Sequence, residues 1–149
     1  LDALNDKIIL IATTNLYNSF DKALTRRFDV IIDFDRYKQE DLIDIGEAIL
    51  NELLFKFKFA GRNMKLFRKI LSLMNEIPYP GELKNLIKSS LAFSDPSNEY
   101  DYLKKIYLNT CGNGLNMDLK SLQDKGFTVR EIEILTGISK SQVSRELKE

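Results

Sequence analysis

The sequence predicts a mostly α chain that opens on a short piece of α/β architecture. Three observations predict it. Two β-branched apolar runs, Lys7–Ala12 and Asp29–Phe34, flank a polar segment near the start. From Tyr37 the apolar residues recur at helical spacing through four successive stretches. Beyond Gly112-Asn113-Gly114, short helical stretches alternate with cap residues and glycines.

Each element has its own warrant. The two apolar runs read as buried parallel strands, because they are short, β-branched and apolar on both faces. Between them, Asn15–Asn18 has turn character and Asp21–Arg27 has room for one or two helical turns. Leu42, Ile45, Ile49 and Leu53 set an amphipathic helix over Gln39–Leu54, with no good capping side chain at its start. Ala60-Gly61 breaks the chain, and Met64, Phe67, Leu71 and Met74 mark a second helix. Pro78-Tyr79-Pro80-Gly81 ends it, and Pro80 suits the first turn of a third, whose stripe is Leu83, Leu86, Ile87 and Leu91. Asp95-Pro96-Ser97 is a turn, and a fourth helix follows over Asn98–Asn109 with Leu103, Ile106 and Tyr107 inward. Asp118–Lys125 is helical and Gly126 closes it. Thr128 caps Val129–Thr136, Gly137-Ile138 turns the chain, and Ser139 caps Lys140–Lys148.

Composition bounds the chemistry. An apolar content of 44% over 149 residues is that of a globular chain, and no run approaches the roughly 18 residues of a membrane span. No membrane partner is expected, and the expected compartment is the cytoplasm. The single Cys, Cys111, excludes an internal disulfide and fits a reducing environment. With no His, metal sites built on His and Ser-His or Cys-His catalysis are excluded within these residues. Net charge is zero, so bulk charge does not argue for nucleic acid.

The stretch from Lys7 to Phe34, KIILIATTNLYNSFDKALTRRFDVIIDF, concentrates the functional signal. Asn15 follows the end of the first apolar run, and ligands of open parallel sheets bind outside the carboxyl ends of strands. An amide there can donate to a phosphate oxygen or orient a water; it can equally be a turn Asn bonded to its own backbone. The Arg26-Arg27 pair follows, and a guanidinium stays charged and grips phosphate oxygens with a planar fork. Bonding of the pair to Asp29 or to sheet-end carbonyls is the competing reading.

Phe20-Asp21-Lys22-Ala23-Leu24-Thr25-Arg26-Arg27-Phe28-Asp29 resembles the AAA+ ATPase pattern of Leu-Asp-Pro-Ala-Leu, two arginines and Phe-Asp, with Phe20 for the Leu and Lys22 for the Pro. The stretch as a whole is similar to the second half of that core, from the sensor-1 strand through the arginine-finger segment. The resemblance implies an α/β P-loop core cut short, a helical lid, ATP and Mg²⁺ as cofactors, and a homo-oligomeric ring. It assigns Asn15 to sensor 1 and Arg26 or Arg27 to the finger that reaches a neighbouring subunit's γ-phosphate, with Arg27 the better placed of the two. It also implies that the strand carrying the P-loop lies between the two apolar runs. No G-x-x-x-x-G-K-[ST] occurs, so the phosphate cradle is expected upstream of Leu1, as is the true Walker B. Val30–Asp35 mimics a Walker B strand, but Asp33 and Asp35 read as solvated strand-end residues. The magnesium ligands are therefore not expected here, nor is turnover by these residues alone.

The four helices match the AAA+ lid in order. Lys84 stands where the family places the sensor-2 cation, usually Arg; it reads either as that cation or as a solvated Lys. Lys56, Lys58, Arg62, Lys65, Arg68 and Lys69 form a basic stretch without an acid, interleaved with Phe55, Phe57, Phe59 and Phe67. That pattern fits a nucleic-acid or partner surface, or a core stripe with a solvated opposite face.

Phe127–Leu147 resembles a helix-turn-helix. Gly137 supplies the turn, Ile132, Leu135, Ile138, Val143 and Leu147 the packing, and Lys140, Ser141, Gln142, Ser144 and Arg145 the side facing double-stranded DNA. Glu133 departs from the small residue usual at the helix crossing. From Leu119 to Glu149 six basic residues face five acidic ones, so one copy would hold few phosphates; oligomerisation would supply avidity. The expected organisation is residues 1–36 as the core end, 37–111 as the lid and 112–149 as linker and helix-turn-helix. The competing reading is a non-enzymatic helix-turn-helix regulator or protein-interaction module.

Overall fold

The computed structural model describes residues 9–34, 36–59, 61–111 and 118–148. Contacts divide the chain into two compact units, Leu1–Arg36 and Tyr37–Glu149. Among the described residues there are eight α-helices and no strand.

The first unit is held by local bonds. A 3-10 turn spans Tyr17–Ser19. Helix α1 (Lys22–Thr25) forms because Asp21 is extended and its carboxylate accepts the Ala23 N–H at 3.1 Å. The expected strands are absent: neither residues 9–12 nor 29–34 form one, while Lys7, Ile8 and Asp35 lie outside the described residues. The apolar runs stand in solvent, with Ile9 88% and Val30 73% exposed. A strand needs ladder bonds to a neighbour. Among the described residues neither run has such a neighbour.

The second unit is a helical bundle. Helix α2 (Gln39–Lys56) packs on α3 (Met64–Ser72) and α4 (Pro80–Ala92); α5 (Asp101–Cys111) packs on both of those and on α7 (Val129–Thr136). Helices α6 (Leu119–Asp124) and α8 (Lys140–Glu146) complete it, each against α7. Leu50, Leu54, Phe67, Ile70, Leu83, Tyr102, Leu103 and Ile106 are fully buried and share one core with Leu122, Ile132, Leu135 and Val143.

The helix ends explain themselves. Asp41 accepts the Lys38 N–H at 2.8 Å, so the start of α2 is fixed by a carboxylate three residues in rather than by a cap side chain. Asn63 caps α3 through the Leu66 N–H, and Pro80 opens α4 as expected. The buried face of α2 is Leu42, Ile43, Gly46, Leu50, Leu53 and Leu54, which leaves the expected Ile45 and Ile49 half-buried. Gly46 explains the rotation: a Cβ there would come within 2.9 Å of Leu71 and 3.1 Å of Leu83, so glycine marks the closest helix approach. Met74 lies beyond the end of α3 and is half-buried. Among the described residues no helix is long and apolar enough to cross a membrane.

Candidate functional site

In the first unit, α1 ends directly beneath the Arg pair. The Arg26 N–H bonds the Lys22 carbonyl at 3.2 Å and the Arg27 N–H bonds the Leu24 carbonyl at 3.2 Å. Both arginines are exposed. Asn15 is exposed at a bend, one residue after Thr14, whose hydroxyl accepts the Leu16 N–H at 2.9 Å. The local turn is therefore held by Thr14, and no hydrogen bond to the Asn15 side chain is needed to close it. Asp33, in the Walker B mimic, accepts Arg36 Nε at 2.9 Å and is exposed. Asp35 lies outside the described residues.

In the second unit, Lys84 is exposed on α4, five residues into the helix rather than in its first turn. The basic stretch divides by use. Arg68 bonds Asp44 at 2.6 Å and Glu47 at 2.7 Å, tying α3 to α2. Lys69 bonds both Glu131 oxygens, at 3.1 and 2.8 Å, and the Gly126 carbonyl at 2.8 Å, with its ammonium 5.5 Å from the Phe127 ring centre. One lysine thus ties α3 to the start of α7. Lys56, Lys58, Arg62 and Lys65 remain exposed.

Helices α6 to α8 are set by their caps. Gly126 is left-handed, with φ of 83°, and the Phe127 N–H reaches back to the Leu122 carbonyl at 3.0 Å, closing α6. Thr128 and Glu131 form a reciprocal capping box at the start of α7. Gly137, at φ of 79°, ends α7. Ser139 has the cap backbone but its hydroxyl faces Ser141 Oγ at 3.3 Å, so it does not cap α8. Glu133 does that work: its carboxylate accepts the Lys140 N–H at 3.1 Å. The residue that departs from the helix-turn-helix pattern is the one that fixes the start of α8, favoured there by the helix N-terminus.

Val143 seats α8 in the core and leaves Lys140, Ser141, Gln142 and Arg145 exposed, with Ser144 half-buried. Two of these are partly occupied: Gln142 donates to Glu146 at 3.0 Å, and Arg145 Nε donates to the Ser141 carbonyl at 3.3 Å. Both bonds are solvent-exposed and can be exchanged for ligand contacts at little cost.

The Lys69 clamp escaped the sequence because its three partners lie about 60 residues away in the chain. It also sets a pH dependence. Partial burial pushes the Glu131 carboxyl up, but the hydrogen bonds from Lys69 and Thr128 outweigh it and hold the group below its ordinary value of 4.5. A depressed carboxylate contributes stability above that value, lost as pH falls through the folded pKa. Lys69→Met should keep the stem over Phe127, cost about 1 kcal/mol at neutral pH, and flatten the fall in melting temperature below pH 4.5. Thermal melts between pH 3 and 7 check it; an unchanged acid limb would remove Lys69 from that role.

Among the described residues, no cluster of His, Cys, Asp or Glu can hold a metal, and no buried side-chain polar atom lacks a partner. Comparison with known protein families, with curated proteins and with solved structures yields no match.

Proposed function

We propose that this chain supplies the sensing and finger half of an AAA+ ATPase site, the helical lid that follows it, and a helix-turn-helix that binds double-stranded DNA. Asn15 senses the γ-phosphate, Arg27, with Arg26 beside it, reaches the nucleotide of a neighbouring subunit in a homo-oligomeric ring, and Lys84 is the sensor-2 cation. ATP and Mg²⁺ are the cofactors. Exposed amide and guanidinium donors suit phosphate oxygens. Bound ATP would supply the transferable phosphoryl group.

The observation that carries this reading is the succession of parts: Asn15, the Arg26-Arg27 pair on a capped turn, then four packed helices with Pro80 opening the third. The exposed face of α8 supports the DNA module. A second reading, a non-enzymatic helix-turn-helix regulator or protein-interaction module, draws on the same helix: Gln142 and Arg145 are satisfied within it, and its surroundings carry little net charge.

Duplex binding separates a DNA-binding α8 from a protein-interaction module. The 149-residue chain should bind double-stranded DNA weakly, with an affinity that falls as salt rises. Arg145→Ala should weaken it about tenfold without lowering the melting temperature. Fluorescence anisotropy measures both; duplex affinity that Arg145→Ala leaves unchanged would take the contact off α8.

A further inference from the structure

The end of α2 presents aromatic rings and cations that the fold does not use. Phe55 is 79% exposed and Phe57 47% exposed, although Phe59, two residues on, packs edge-on against Tyr102 at 5.9 Å. Lys56, Lys58, Arg62 and Lys65 are exposed around them, and none forms an ion pair among the described residues. Between Glu52 and Glu76 the chain has no acidic residue. The acid packed on this segment is Glu99, against the backbone of Gly61. The local charge is therefore largely uncompensated, unlike that of Arg68 and Lys69.

The backbone adds an independent observation. The Phe59 N–H reaches the Leu54 carbonyl at 3.0 Å and the Lys58 N–H reaches Phe55 at 3.2 Å, the double bond pattern that closes a helix through a left-handed residue. That residue is usually glycine. Here it is Lys58, with φ of 57°, the one non-glycine residue at positive φ among those described. A long, exposed cation is held where the backbone favours no side chain, next in the chain to Phe57. Local strain of this kind concentrates at binding surfaces.

From these observations we infer that residues 55–59 and 61–65 form a binding strip for single-stranded nucleic acid. Phe55 and Phe57 stack on bases, and Lys56, Lys58, Arg62 and Lys65 hold the phosphates. A ring face pairs with any unstacked base, and flanking cations track the backbone. A duplex hides its base faces and would use only the cations. A membrane surface would need a helix whose broad apolar face is free, and the apolar face of α2 is buried in the bundle. The strip belongs to α2 and the α2–α3 connection and does not depend on the reading of α8.

The test uses the 149-residue chain and a fluorescein-labelled oligothymidylate of about 20 nucleotides, longer than one strip would occupy. The chain has no Trp, so Phe55→Trp gives a single stacking reporter. Its emission should be quenched on binding. The double variant Phe55→Ala/Phe57→Ala should lose at least about tenfold in affinity with an unchanged melting temperature. Lys58→Gly should move two readouts in opposite directions, raising the melting temperature by roughly 2–5 °C and weakening binding several-fold. Arg145→Ala should still weaken duplex binding in the Phe55→Ala/Phe57→Ala background, which keeps this test separate from the one on α8. The inference is overturned if Phe55→Trp emission is unaffected, if the double variant binds as tightly as the parent, or if anionic lipid vesicles take up the chain through these residues while the oligonucleotide does not bind.

Discussion

Under the proposed ATPase reading, Arg27→Ala in the full-length polypeptide should lower ATP turnover by about 10³-fold or more while nucleotide binding stays nearly intact, the range seen when such a finger is lost. The reasoning is geometric and electrostatic. Arg27 follows the end of α1 and is exposed, on a turn bonded by the Asp21 carboxylate and by the backbone. A finger acts on charge that develops during phosphoryl transfer, so its loss reaches turnover before binding. Lysine should rescue poorly, since a point charge lacks the planar fork. Turnover and nucleotide affinity measured side by side decide it: a loss of both together would make Arg27 a structural residue.

Gly61→Ala should be the most damaging single methyl in the bundle, costing about 2–3 kcal/mol and lowering the melting temperature by roughly 10 °C. A Cβ at Gly61 would overlap the backbone carbonyl of Glu99, which cannot swing aside as a side chain can. The Gly61 carbonyl also accepts the hydroxyl of Tyr102 at 3.1 Å, and Tyr102 is fully buried; burial pushes its phenol up to about 12. Displacing Gly61 strands that hydroxyl, which adds a desolvation cost. Gly46→Ala is the internal control. Its new methyl meets side-chain atoms of Leu71, Leu83 and Phe67 and no backbone, and alanine favours the helix by up to about 1 kcal/mol, so its net effect should be smaller. Denaturant melts of the two variants rank them; equal losses would contradict the difference between backbone and side-chain obstruction.

Much of the helical part was legible because its signals are local. Pro80, Thr128 and Gly137 mark boundaries through backbone chemistry within a few residues along the chain, and the structure places those boundaries within a few residues of the expected ones. What failed was non-local. The core face of α2 turned because Gly46 carries no apolar side chain to be counted, yet sits where α2 meets Leu71 of α3 and Leu83 of α4. The clamp of Lys69 on Glu131 was hidden inside a basic run that looked uniform. Glu133 looked like a flaw and is a cap for a helix seven residues away. The two apolar runs carry the pattern of buried strands, but strand formation depends on a neighbour, and among the described residues neither run has one. For the candidate site, Asn15, Arg26, Arg27 and the α8 face were readable as donors from residue type and spacing alone; what they meet is not encoded in either.

The central claim is that Arg27 acts on a neighbour's nucleotide. Under the proposed reading, the test is to combine full-length Arg27→Ala subunits with full-length subunits whose P-loop is disabled. Each parent ring should be inactive. Random mixing in equal amounts should restore turnover at about a quarter of the interfaces, those where an intact P-loop meets an intact Arg27 across a head-to-tail contact. A mixture as inactive as its parents would contradict the account.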